Sequence, residues 1–355
     1  MSVLFALLAL PIIFFNFFTA LNAADVKILK KPAPVEVKGI YLTAYTAGQK
    51  TRRAELIKLI ENTELNAVVI DLKDYSGRVF FRSGVPLAEK IGAQELRIPD
   101  LPDLLAELKS KNIYTIARIA VFQDPYLAEK MPEIALKRKS DGSLWRDYKG
   151  LAWVDTASKE VWQYNIDLAK EAIALGFAEI NFDYIRFPSD GPLKDIAYPI
   201  YDENKSKTEL IADFFKFIGE QLKFEPAYVS VDLFGMTLWR DDGLGIGQRY
   251  QDAADYVDYI CPMVYPSHYP DGFEGRGNPA DFPYEIVYSS LIRANAELAD
   301  RRAKIRPWLQ AFDLGAVYDA AKIRAQIEAT YDSGWTQWLL WNASNRYTAA
   351  GLLAE

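Results

Sequence analysis

The sequence predicts one (β/α)8 barrel, and three observations carry that prediction. Eight short runs rich in β-formers recur along the chain, amphipathic stretches at helical spacing lie between them, and no domain-sized linker breaks the alternation after Val35. A doubly wound open sheet is the competing architecture, but its phosphate-binding fingerprint is missing. Gly243-Leu244-Gly245-Ile246-Gly247 neither follows a strand closely nor completes G-x-G-x-x-G, and no P-loop or G-x-S-x-G elbow occurs.

Taken in order, residues 1–24 hold no ionisable side chain, and Val3 to Phe18 is apolar apart from Asn16. Small residues follow at 19–24, so the segment reads as an export signal or an uncleaved membrane anchor. The missing n-region Lys or Arg, and Leu21 three residues before a cut after Ala23, keep the anchor open. Residues 25–34, with Pro32 and Pro34 beside Lys30 and Lys31, read as a linker, and the barrel domain spans 35–355. Strands are expected over 37–44, 67–73, 114–122, 179–187, 228–235, 259–265, 305–312 and 335–342. Helices are expected over 52–63, 101–111, 159–175, 208–222, 283–302 and 319–332, with a very short closing helix from about Thr348. The connections after strands three, four and six (123–158, 188–207 and 266–282) exceed ordinary βα loops. In a barrel all three lie on the C-terminal face, where they would wall a cleft.

Composition narrows the chemistry. The 355 residues include 48 acidic and 41 basic side chains, for a formal charge of −7, which argues against a nucleic-acid partner. One Cys (Cys261) excludes an intrachain disulfide and Cys-cluster zinc, and one His (His268) excludes multi-histidine zinc centres. Carboxylates are the expected acid and base, with no metal and no cofactor.

Strand alternation then selects the carboxylates. In strand four, Ile180 and Phe182 take the helix-facing parity and Glu179, Asn181 and Asp183 the interior one. Three interior polar groups are costly unless paired, and Asp183 sits nearest the open end. Strand five repeats the pattern, with Ser230 and Asp232 inward. Strand two places Asp71 and Lys73 inward, and Arg118 on strand three, if inward, needs Asp71 or Asp183 as partner. Two carboxyls on neighbouring strand ends are what glycosidic cleavage uses: one protonates the leaving oxygen, and the other attacks the anomeric carbon or activates water. Asp183 is therefore the expected nucleophile or base and Asp232 the expected acid. Interior ion pairing or capping of the following helix is the alternative for each; Asp155 is expected to cap the helix that begins near Lys159, with a functional role as its alternative, and Asp313 is a further possible acid with helix capping as its alternative. Asp71, Lys73, Arg118, Tyr184, Arg186, Tyr265, His268 and Trp341 are the expected substrate contacts. Tyr41, Tyr45, Trp145, Trp153, Trp239, Tyr269 and Trp338 are further aromatics at strand ends or in the long loops, where rings pack on sugars.

The segments 37–43, 66–77, 116–124 and above all 175–188, which contains Asn181-Phe182-Asp183-Tyr184-Ile185-Arg186-Phe187-Pro188, resemble the bacterial glycoside hydrolase domain family long carried as a domain of unknown function. The resemblance runs from about Val35 to Gly351. It implies a TIM barrel that hydrolyses glycosidic bonds of an extracellular or cell-envelope polysaccharide, with Asp183 at the family's strand-four aspartate. Asp155 departs from the family pattern, in which Asn is frequent. Two other readings remain: a non-catalytic carbohydrate-binding or envelope-scaffolding barrel, and a metal-dependent deacetylase using His268 as its only imidazole.

Overall fold

Each barrel strand carries two apolar faces, and the two faces sort into two separate cores. Ile40, Leu42, Val68, Ile70, Ile180, Phe182, Val231 and Leu309 join the helices in an outer core. Val37, Tyr41, Val69, Ile116, Cys261 and Trp308 fill an inner one. Period-two alternation in a sheet covered on both sides produces this separation.

The structure, a computed structural model, describes residues 30–354. The expected signal or anchor over 1–24, and residues 25–29 of the linker, lie outside the described residues. The barrel strands are β1 (Lys38–Leu42), β2 (Ala67–Lys73), β3 (Tyr114–Ala120), β4 (Glu179–Asp183), β5 (Tyr228–Phe234), β6 (Tyr259–Met263), β7 in two pieces (Lys304–Ile305 and Trp308–Gln310) and β8 (Trp338–Trp341). All pair in parallel with their sequence neighbours, and β8 pairs back on β1 to close the barrel. Pro307 lacks an N–H and falls where β7 is interrupted.

Helices α1 (Lys50–Glu61), α2 (Leu101–Ser110), α3 (Lys159–Leu175), α4 (Lys207–Gln221), α5 (Tyr250–Ala253), α6 (Pro283–Leu291) and α7 (Ala320–Asp332) follow β1 to β7. Ser158, Ser206 and Asp319 cap α3, α4 and α7, each side chain accepting an orphan backbone N–H. The expected helix over 283–302 divides into α6 and a short Ala294–Leu298 turn. Among the described residues no closing helix forms from Thr348; residues 348–354 run through turns instead, and the Leu353 carbonyl accepts the Glu64 amide while the Leu353 amide donates to the Glu64 carboxylate, each at 2.9 Å.

The long loops after β3 and β4 pack on each other. Lys137–Arg138 pairs antiparallel with Ile196–Ala197, and Trp145, fully buried, donates from Nε1 to the Pro192 carbonyl at 3.1 Å. Asp155 is not a helix cap. Its Oδ2 accepts the amides of Ile200 and Tyr201 at 2.9 and 3.0 Å, stapling one loop to the other. Asp313 likewise caps no helix but accepts the Tyr318 amide within a turn, at 2.7 Å.

Candidate active site

The polar interior positions of neighbouring strands fall level with one another: Asp71 is in register with Arg118, Arg118 with Asn181, and Asn181 with Ser230. Burial then forces these groups to satisfy one another. At the N-terminal end of the barrel Glu179 takes Arg306 Nη1 at 2.7 Å and the Tyr114 hydroxyl at 3.1 Å, with both charges wholly buried. At the C-terminal end Arg118 is the hub. It donates from Nη1 to Asp71 at 2.6 Å and from Nη2 to Asp183, and its Nε lies 3.6 Å from Asp232. Arg118 therefore faces the interior, as strand-three alternation allowed. Asp71 also accepts the Tyr41 hydroxyl.

Asp183 ends β4 and Tyr184 turns the chain sharply out of the strand with φ +54, a conformation uncommon for a bulky side chain. That turn aims the Tyr184 amide at Asp183 Oδ1. Asp232 is held differently: its Oδ1 accepts Asn181 Nδ2 and Trp308 Nε1, each at 2.8 Å, which leaves Oδ2 for a proton. Burial, reinforced by the charge of Asp183, pushes the Asp232 carboxyl up to about 8. Burial also raises Asp71, to about 6, against the opposing effect of Arg118. Because Asp183 and Asp232 both contact one planar guanidinium, their oxygens stand no more than roughly 8 Å apart. That bound falls below the widest separation, about 9.5 Å, across which paired carboxyls cleave glycosides.

Both carboxyls line a cavity of about 320 Å³ at the C-terminal mouth of the barrel. Its walls are largely aromatic: Tyr184, Phe234, Tyr265, His268, Trp308 and Trp341, with Met263, Lys149 and Arg186. Trp341 stacks on Tyr41 at 4.0 Å between centroids and meets Trp308 edge-on. Burial lowers the proton affinity of His268, which therefore favours the neutral imidazole. The set can hold a sugar ring against flat apolar faces beside one protonated and one counter-charged carboxyl.

Of the expected site residues, Asp183, Asp232, Arg118, Tyr184, Arg186, Tyr265, His268 and Trp341 all line this one cavity. Asp71 stands behind it, positioning Arg118. Lys73 does not reach it. The β2–β3 register shifts between Asp71 and Lys73, so Lys73 pairs with outward-facing Ile119 and turns among the helices, 2.9 Å from Asp124 and 3.3 Å from Asn165. Trp338 faces the outer core, Trp145 and Trp153 are buried in the loop wall, and Tyr45 is exposed elsewhere. Trp308 and Lys149 were missed. Alternation against outward Leu309 would have found Trp308, whereas no local pattern marks Lys149 on its loop.

A closed parallel barrel with a carboxyl-bearing cavity at the C-terminal ends of its strands is the architecture of TIM-barrel enzymes. The chain belongs to the family described as "Putative glycosyl hydrolase domain", which matches residues 39–347, and this supports a glycosidase-like function. No curated protein matches it by sequence. A hypothetical protein from Ruminiclostridium thermocellum is 36% identical over 58% of this chain and 98% of its own, with a TM-score of 0.50. The glycoside hydrolase domain of PgaB (BpsB) from Bordetella bronchiseptica superposes with a TM-score of 0.64 at 12% identity, covering 87% of this chain and 94% of its own. The α-galactosidase TtGalA from Thermus thermophilus gives 0.54 at 12% identity over 89% of this chain and 60% of its own. At such identities these two share the fold.

Proposed function

We propose that the protein is an exported glycoside hydrolase that cleaves a cell-envelope or extracellular polysaccharide with Asp183 and Asp232. Asp232 donates its proton to the leaving glycosidic oxygen, and Asp183 attacks the anomeric carbon or takes a proton from the attacking water. The observation that carries this reading is the contrast between two carboxyls on one guanidinium. Asp232, raised to about 8, keeps its proton at neutral pH, while Asp183 faces the hub cation and the Tyr184 amide. Oligosaccharide substrates fit the aromatic walls, and export rests on the uncharged residues 1–24.

Asp183→Asn and Asp232→Asn, shown to be folded by circular dichroism, are expected to lose glycan hydrolysis about 100-fold or more. The substrate comes from a glycan library screened by mass spectrometry. Wild-type rates in both variants would sink the assignment. A non-catalytic carbohydrate-binding or scaffolding barrel is the second reading, favoured by the depth of Asp232, which is only 1% exposed. It predicts glycan binding with no products at any pH.

A further inference from the structure

Two of the cations lining the cavity, Arg186 and Lys149, have no carboxylate within ion-pair distance among the described residues, whereas Arg118 has three. Lys149 is exposed at the rim, but Arg186 is only 8% exposed, and a buried guanidinium without a counter-charge is costly. The protein offsets that cost in part. Arg186 lies against the rings of Trp153, Phe234 and Tyr184, at 4.8, 5.2 and 5.5 Å from their centroids, and Nη1 donates to the Phe187 carbonyl and to Ser189 Oγ at 3.2 and 3.0 Å. Among the described residues its Nε and Nη2 meet no protein acceptor, and neither is sealed from solvent in this residue that lines the cavity. The nearby carboxylates are engaged elsewhere: Asp147 takes the Lys149 and Leu151 amides and the Trp153 indole, and Asp190 takes the Tyr148 amide. Asp71, Asp183 and Asp232 are all grouped around Arg118, so no carboxylate of this cluster forms an ion pair with Arg186 or Lys149.

A guanidinium fork packed among aromatic faces, with two donor nitrogens unpaired at the wall of a sugar-sized cavity, matches a planar or tetrahedral oxyanion. We propose that Arg186, with Lys149 at the rim, forms an anion subsite, so that the glycan taken carries an acidic substituent, a uronate carboxylate or a sulfate or phosphate ester. The inference rests on the glycosidase reading of the same cavity and names its substrate class.

The test is a set of oligosaccharides in which each uronate, sulfated or phosphorylated chain stands beside its neutral twin, the uronates reduced at the carboxyl. Binding to the full-length protein is measured by calorimetry and cleavage by mass spectrometry. Wild type is expected to bind at least one charged chain about 10- to 100-fold better than its twin, with the preference shrinking as salt rises. The charged-to-neutral ratio should fall toward one in Arg186→Gln, recover partly in Arg186→Lys, and decline in Lys149→Ala, an exposed position where folding is not at risk. Which twin pair responds identifies carboxylate, sulfate or phosphate. A ratio near one for every pair, no binding at all, or a preference untouched in the Arg186 and Lys149 variants overturns the subsite. Cleavage without charge preference would remove the subsite and leave the hydrolase, whereas Arg186-dependent binding without cleavage would do the reverse.

Discussion

Arg118→Met removes the charge on which three buried carboxyls converge while keeping most of the side-chain volume. Asp71, at 2.6 Å, and Asp183 lose their ion pair, and Asp232 loses a cation 3.6 Å away. Truncating one partner of a buried pair costs about 3–5 kcal/mol, but here the cost depends on pH. In wild type burial pushes Asp71 up to about 6 and Asp232 up to about 8, above the usual carboxylate range. Their contribution to stability is therefore full below about pH 4 and is lost as pH rises through those values. Arg118 is what holds Asp71 down at about 6; without it the carboxyl must stay protonated to higher pH. Between pH 6 and 8 the variant then loses ~1.4 kcal/mol per pH unit at Asp71, a loss that wild type, half-ionised at pH 6 and almost fully ionised by pH 7, largely escapes. Over the two-unit interval the difference amounts to about 2.3 kcal/mol. At roughly 2 °C per kcal/mol for a domain of this size, the Tm gap between wild type and variant should widen by about 5 °C from pH 6 to pH 8. Thermal melts followed by circular dichroism at pH 5, 6, 7 and 8 measure it. A gap that is absent, or constant across that range, would refute the idea that Arg118 is the counter-charge of this cluster.

The remaining predictions test separate parts of the molecule. The kcat/KM of wild type should fall about tenfold per pH unit above about 8, where Asp232 loses its proton, and Asp232→Asn should remove that alkaline limb; a limb that survives in the variant points to another acid. Glu179→Leu leaves Arg306 buried without its partner and should cost about 3–5 kcal/mol in urea unfolding while kcat/KM of the folded fraction stays within about twofold, because the pair lies at the opposite end of the barrel. Gly77→Ala should cost about 2–4 kcal/mol, seen as a lower urea midpoint at unchanged m. Gly77 has φ +79, and a Cβ there would come within 1.9 Å of Asp124, which Lys73 and the Leu127 amide hold in place.

Much of the site was legible because a strand reports its own sidedness. Glu179, Asn181 and Asp183 on one strand and Ser230 and Asp232 on the next share the interior parity, and each is paired there. Parity failed at Lys73, where a shift in the β2–β3 register carries one charge from the interior to the helix layer. A bulge is set by how two strands fit, and one strand's residues do not display it. By its position just before a helix Asp155 reads as a local cap. Its real partners, the amides of Ile200 and Tyr201, come from a loop that folding brings to it.

The sequence by itself determined the βα alternation, which carboxyls face inward, and that no intrachain disulfide, Cys-cluster or multi-histidine centre can form, because periodicity and composition are properties of residues taken singly or in neighbouring pairs. Tertiary structure decided the rest. Closure of β8 on β1 brought Trp341 against Tyr41 and Trp308, and the register across β2, β3 and β4 placed one guanidinium between three carboxyls. The upward push on the Asp232 carboxyl arose there too, from its burial and from the charge of Asp183 on the neighbouring strand. Charge, desolvation and hydrogen bonding act between groups far apart in the chain, so they take their values only once the barrel has closed.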